Sequence, residues 1–353
     1  GGTVEYPVLT GILIWASALP ADTDAGFLLA SALFMAPFGL ATGWLLGRLS
    51  RWRALLWALG PPLVLYAFHN WDLPVVACAV GAVYAVHGWQ TSRPLPDRAV
   101  VAAVFLGLGL AFKLYPGAFV LPLALHVLTA TDPGRLSWRA AARVPLAAAL
   151  TAVLVNLPFA LAGYEGWRAS FTFQQLRKVD ITTNSIWFWG FRPYSDPDNI
   201  WFQETMDWVS PSLVLLSFGV AVTVGWWRWR RTGTYPWIGV SAAMLCGFLL
   251  LHKVHSPQYT LWLLPFFVLL RVPWGLIAGY LLADLAMGIG IFRWFYQLKT
   301  GGPIDIYGGL AAQAVSIGVW GRAVLLVALF VAFLRAPEAL DDAHHPDTAT
   351  VHQ

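Results

Sequence analysis

Lys113-Leu114-Tyr115-Pro116 sets an ammonium group beside a helix-breaking proline inside an almost unbroken hydrocarbon stretch, 99–130. A charge at that depth is costly, and ionisable residues within membrane segments usually face a cavity and mark a ligand path. The same signature returns at His252-Lys253-Val254-His255-Ser256-Pro257-Gln258-Tyr259, and a third polar cluster, His69-Asn70-Trp71-Asp72, separates two further apolar runs. Lys113 and Lys253 are point charges on flexible stems, suited to a phosphate. His69 and His255 can donate to phosphate oxygens, Tyr115 and Tyr259 add hydroxyls, and Gln258 both donates and accepts. Pro116 and Pro257 end helices and free backbone amides, which also attract anions. The inventory matches an amphiphile with a phosphate at the interface and a long apolar tail.

Each of these residues also has a plainer reading. A lone interfacial lysine snorkels to headgroups. Asn70 and Asp72 are good caps for a helix beginning at Leu73, and Asp22 and Asp24 suit a cap or loop ahead of Phe27. His252 reads as structural rather than as a ligand. Arg168, Arg177, Lys178 and Arg192 read as solvated loop charges, and His87, His126 and Asp284 as packing residues within apolar runs. Cys78 and Cys246 fall in apolar runs and read as small buried hydrophobes. The His344-His345 pair is too short to make a metal site, and no metal-ligand spacing occurs elsewhere.

The elements that must position these clusters are membrane helices. Hydrophobic residues make up 58% of the 353 residues and charged residues 11%, against about 25% charged in soluble domains. The net charge of +4 is spread over loops, which excludes a nucleic-acid footprint. Segments 27–46, 73–89, 143–162, 213–229, 237–251, 274–291 and 319–334 approach the ~20 apolar residues that cross a bilayer. Segments 55–68, 100–112, 117–129 and 259–270 are shorter, as helices lining a protein-buried cavity can be, and 8–19 reads as an interfacial or re-entrant helix. Arginines cluster at 48–53, 93–98, 135–143, 228–231, 271 and 335, at every second connection. Placed on the cytoplasmic side, they leave all three polar clusters and the long polar segment 163–207 outside, provided Lys113–Pro116 is the apex of a helical hairpin. The expected fold is an all-α polytopic bundle of about ten to eleven membrane helices over residues 1–336. It has several short or broken helices, a large outer loop at 163–208 and an outer-face cavity. Residues 337–353 read as a disordered cytoplasmic tail.

Four blocks carry a resemblance. Phe112-Lys113-Leu114-Tyr115-Pro116 with Leu121-Pro122-Leu123 resembles the lysine–hydrophobic–Tyr-Pro signature of GT-C membrane glycosyltransferases. The block from His252 to Tyr259, followed by Leu261-Trp262, resembles their Lys-x-x-x-x-Gln-Tyr-x-x-Trp element. Asn70-Trp71-Asp72 corresponds to an Asn-x-Asp element before a transmembrane helix, and Glu5-Tyr6-Pro7-Val8-Leu9 to a Tyr-Pro element after the first outer loop. The set is most similar to glycosyltransferase family 87, the polyprenyl-phosphate-mannose-dependent α-mannosyltransferases.

That resemblance implies a GT-C-like fold in the plasma membrane and an extracytoplasmic active site. It implies inverting transfer of a sugar, mannose foremost, from a polyprenyl phosphate to a glycolipid or glycan acceptor, with no cofactor and no metal. Lys113, Tyr115, Lys253, His255, Gln258, Tyr259 and His69 would serve the donor phosphate, and Tyr6, Asn70 and Asp72 the pocket on the acceptor side. The family's catalytic carboxylate precedes the Tyr-Pro block, so it is expected upstream of Gly1, with Glu5 the one nearby carboxylate. Two further readings stand beside transfer: a transporter or flippase of a lipid-linked sugar, and a non-catalytic partner subunit.

Overall fold

A computed structural model describes residues 5–132, 134–302 and 305–340. Fifteen helices account for most of these, and no strand occurs among the described residues. In chain order they are α1 (Val8–Ala18), α2 (Asp24–Ser50), α3 (Leu55–Ala58), α4 (Pro61–Tyr66), α5 (Asp72–His87), α6 (Leu95–Phe112), α7 (Val120–Ala130) and α8 (Trp138–Ala162). There follow α9 (Tyr164–Leu176), α10 (Ile186–Gly190), α11 (Ile200–Thr232), α12 (Trp237–Leu251), α13 (Thr260–Leu269), α14 (Trp274–Lys299) and α15 (Leu310–Arg335). Among the described residues, six helical segments are long and apolar enough to cross a membrane: the α2–α3 stretch Asp24–Ala58, α6, α8, α11, α14 and α15. The chain is an all-α polytopic membrane protein.

Long helices form the periphery and short ones the interior. Thr23 caps α2 by accepting the Gly26 N–H at 3.0 Å. Ser31, Met35, Thr42, Leu46 and Leu49 then bury one stripe of α2 at helical spacing, while Leu28, Leu33 and Leu40 face outward. By contrast, every residue of α13 is buried, as are most of α5 and α12. A helix apolar all round belongs inside protein, and there its short length leaves no backbone end exposed to lipid. Segment 55–68 is broken: Leu59-Gly60 separates α3 from α4, and Pro61-Pro62 opens the second helix.

The relative direction of α6 and α8 fixes the hairpin. Asp97 near the start of α6 pairs with Arg143 near the start of α8 at 2.8 Å. Gly107, further along α6, lies against Ala148 and Thr151, where a Cβ would come within 2.6 Å of the Ala148 carbonyl oxygen. The two helices are therefore parallel, so α7 runs back between them and Lys113–Pro116 is the turn. Thr10 pins α1 to that turn through a 2.7 Å bond to the Phe112 carbonyl.

The arginine-rich connections meet at the opposite end. Arg53 donates to the carbonyls of Phe267, Val268 and Leu270, and Arg228 to those of Leu334 and Ala336. There the structure departs from the expected disordered tail at 337–353. Arg271 N–H bonds Pro337 O at 2.9 Å and Ala339 N–H bonds Leu269 O at 2.7 Å, so the folded part runs to Leu340. The rest of that expectation, with His344 and His345, lies outside the described residues.

The segment 163–207 is folded as a roof over the Lys113–Pro116 turn end of the bundle. Gln203 exchanges two hydrogen bonds with the backbone of Val179. Trp187, Phe188 and Trp189 pack with Phe202, Met206, Met287 and Val315 in a second core.

Candidate functional site

The four sequence blocks converge at the turn end of the bundle around a cavity of about 430 Å³. Tyr6 comes from the segment before α1, Asn70 from the turn before α5, and Lys113 and Tyr115 from the α6–α7 turn. Gln258 and Tyr259 come from the turn into α13. Asn70 donates to the Tyr6 hydroxyl at 3.2 Å. Trp262 is stacked between Tyr115 and Tyr259, with ring centroids 4.2 and 3.9 Å away. The Tyr115 hydroxyl and Gln258 Oε1 are buried and have no hydrogen-bond partner among the described residues. Buried polar atoms cost free energy unless bonded, so a ligand that supplied partners to them would gain accordingly.

Lys113 is the best-determined group of the site. Its ammonium bonds Asp72 Oδ1 at 2.6 Å. It lies 5.4 to 5.9 Å from the ring centroids of Trp262, Tyr259 and Tyr6, within range of cation–π attraction. Asp72 Oδ1 also accepts the Trp262 indole N–H at 2.6 Å. Asp72 is therefore no helix cap: it is the first residue of α5, with Trp71 at the cap position and no side-chain capping bond. Its carboxylate is drawn inward by two donors, which outweigh the exposed amides of the helix start.

Three expected phosphate ligands stand elsewhere. Lys253 is buried but forms an ion pair with Asp207 of α11 and reaches the Gln175 carbonyl; it ties the roof to the α12–α13 connection and does not line the cavity. The His255 backbone N–H bonds Thr183 O at 2.6 Å, which turns its ring into protein beside the Leu249 backbone. Burial, and then the nearby Arg322 charge, push its pKa well below the usual histidine range. His69 packs edge-on against Phe292 at 4.9 Å, and burial lowers its pKa as well. His252, read as structural, lines the cavity instead.

Arg177, read as a solvated charge, is the second cation in the cavity lining. It follows directly on α9, whose Ser170 and Phe171 line the same space. No local motif marks it: three exposed or half-buried polar neighbours surround it in sequence, and only the folding of the roof turns it inward. Asp284, read as packing, belongs to a separate buried polar cluster, bonded by Thr260 at 2.6 Å and facing Arg322 at 3.6 Å. Beside the cavity runs an apolar groove of about 760 Å³ between α1, the end of α8 and α9; Tyr6 and Ser170 line both spaces. Among the described residues no cluster of His, Cys, Asp or Glu could hold a metal ion.

A bundle of membrane helices with a recessed, aromatic-walled cavity that shares Tyr6 and Ser170 with an apolar groove defines an integral membrane protein. The chain belongs to glycosyltransferase family 87, whose family model matches residues 5–257, and its activity is accordingly a glycosyl transfer. No individual curated protein matches it.

Proposed function

We propose that this protein transfers mannose from a polyprenyl-phosphate donor to a hydroxyl of a glycolipid or glycan acceptor, with inversion, on the extracytoplasmic face of the plasma membrane. The observation that carries the reading is the junction of the two spaces at Tyr6 and Ser170. An apolar groove there meets a cavity whose lining, among the described residues, contains the cations Lys113 and Arg177 and no carboxylate. A donor laid across that junction keeps its isoprenoid tail in the groove and its phosphate and sugar in the cavity.

In the transfer the acceptor oxygen bonds the anomeric carbon, the bond from that carbon to the phosphate oxygen breaks, and the lipid phosphate leaves with a second negative charge. Cations that meet the phosphate therefore stabilise the transition state more than the bound donor. Tyr115 and Gln258 offer hydrogen bonds to phosphate or sugar hydroxyls, and the Tyr115–Trp262–Tyr259 stack supplies an apolar wall. The family resemblance assigns the acceptor proton to a carboxylate ahead of Tyr6-Pro7. Asp72 is not proposed for that task, because Lys113 and Trp262 hold its carboxylate.

Membranes containing the protein, given polyprenyl-phosphate [14C]mannose and a lipid acceptor extract, should yield a labelled glycosidic product. Movement of the intact donor across the bilayer without any glycosidic product would favour the transporter instead and overturn this reading.

A further inference from the structure

We propose that Arg177 grips the lipid phosphate of the donor, and that Lys113 positions the site rather than supplying its binding charge. The inference rests on the donor reading above. It starts from a charge count around one cavity. Among the described residues the lining carries Lys113 and Arg177 and no carboxylate, but Asp72 lies directly behind Lys113 at 2.6 Å and is itself fully buried. Lys113 and Asp72 cancel, and the aromatic rings of Tyr6, Tyr259 and Trp262 enclose the ammonium further. Among the described residues, an incoming phosphodiester therefore meets one cation of the lining that forms no ion pair, the guanidinium of Arg177.

Position agrees with this assignment. The Arg177 charge acts on Tyr6, His252 and Tyr259, which line the cavity from three different elements. Arg177 ends α9, the helix that walls the apolar groove through Gly166 and Trp167 and the polar cavity through Ser170 and Phe171. A lipid lying from groove to cavity follows α9 and reaches its C-terminal end with its headgroup. The planar guanidinium can hold two phosphate oxygens at once, which an ammonium cannot. Lys253 then acquires a role outside the cavity. By bonding Asp207 and the Gln175 carbonyl, it fixes the turn two residues before Arg177.

The test compares the affinity of the full chain in neutral-lipid nanodiscs for polyprenyl phosphate and for the corresponding polyprenol, read by intrinsic tryptophan fluorescence. The wild-type protein should prefer the phosphate. Arg177→Ala should reduce that preference roughly ten- to hundredfold, the loss of a charge-assisted hydrogen-bonded contact, with polyprenol affinity unchanged. Arg177→Lys should recover part of the preference, and Lys178→Ala, an exposed neighbour bonded to the Pro197 carbonyl, should retain all of it. Millimolar inorganic phosphate should compete poorly, because it lacks the tail. Unchanged preference in Arg177→Ala would refute the assignment while leaving the donor reading intact. Equal competition by inorganic phosphate would make this a free-phosphate site and refute it too. A wild-type protein that binds both lipids alike would overturn the donor reading itself.

Discussion

Replacing Lys113 with methionine would leave the Asp72 carboxylate fully buried with one partner fewer. The gross attraction of the pair at 2.6 Å is about 6 kcal/mol at an effective dielectric of about 20. The net loss is smaller, because the carboxylate keeps the Trp262 N–H and the cavity beside it admits water. Breaking a buried pair costs about 3–5 kcal/mol, and the surviving indole bond points to the lower end, about 3 kcal/mol. Such a loss should lower the unfolding midpoint of the detergent-solubilised protein of 353 residues by about 4 °C. The compensating double variant, Asp72→Asn with Lys113→Met, removes both charges and should recover at least half of that shift. Because Lys113 also organises the aromatic cage, the double variant should fold yet transfer sugar poorly. A double variant no more stable than Lys113→Met alone would refute the claim that the two charges compensate each other.

Lys253→Ala breaks an ion pair whose carboxylate is half exposed, worth about 0–1 kcal/mol, so activity should fall less than about tenfold. Inactivation as complete as that of a lost transition-state donor, measured as the turnover rate at saturating donor, would return Lys253 to the phosphate. The lowered pKa of His255 keeps its ring neutral in the folded protein. Its contribution to stability is therefore intact above the unfolded value of about 6.5 and declines as pH falls below it. His255→Gln should flatten that acid decline in unfolding scans, and an unaltered pH profile would count against the buried neutral ring. Single cysteines at Tyr194 on the roof and at Trp52 on the arginine-rich end, both exposed, should react with an impermeant thiol reagent from outside and only after lysis, respectively; the native Cys78 and Cys246 are buried. Reversed labelling would invert the assignment of the cavity to the extracytoplasmic face.

The polar clusters were visible in the sequence because a lysine, a histidine or a proline is conspicuous against hydrocarbon. The helical architecture followed from the same contrast. What each charge does depends on partners far along the chain. Asp72 and Lys113 are 41 positions apart, and Asp207 and Lys253 are 46, so no local pattern distinguishes a phosphate ligand from a compensated ion pair. His252 and His255 exchange roles for a related reason. They occupy an irregular turn, where a backbone bond to Thr183 rather than helical periodicity decides which ring faces the cavity. Arg177 was illegible because its inward direction is set by α9 and its anchorage to α11.

Ten residues of α13 rise about 15 Å, half the ~30 Å hydrocarbon thickness, yet they lead from the cavity down to the arginine-rich end where Leu269 bonds Ala339. The floor of the site, Gln258 and Tyr259, thus lies only about 15 Å along the bundle from the arginine-rich end, well below the far ends of peripheral helices of 25 to 33 residues. The headgroup of the proposed lipid donor would have to reach below those ends to meet Tyr115 and Gln258. On the proposed function, the sugar and phosphate of the donor would shed water on entering this recess, before chemistry begins.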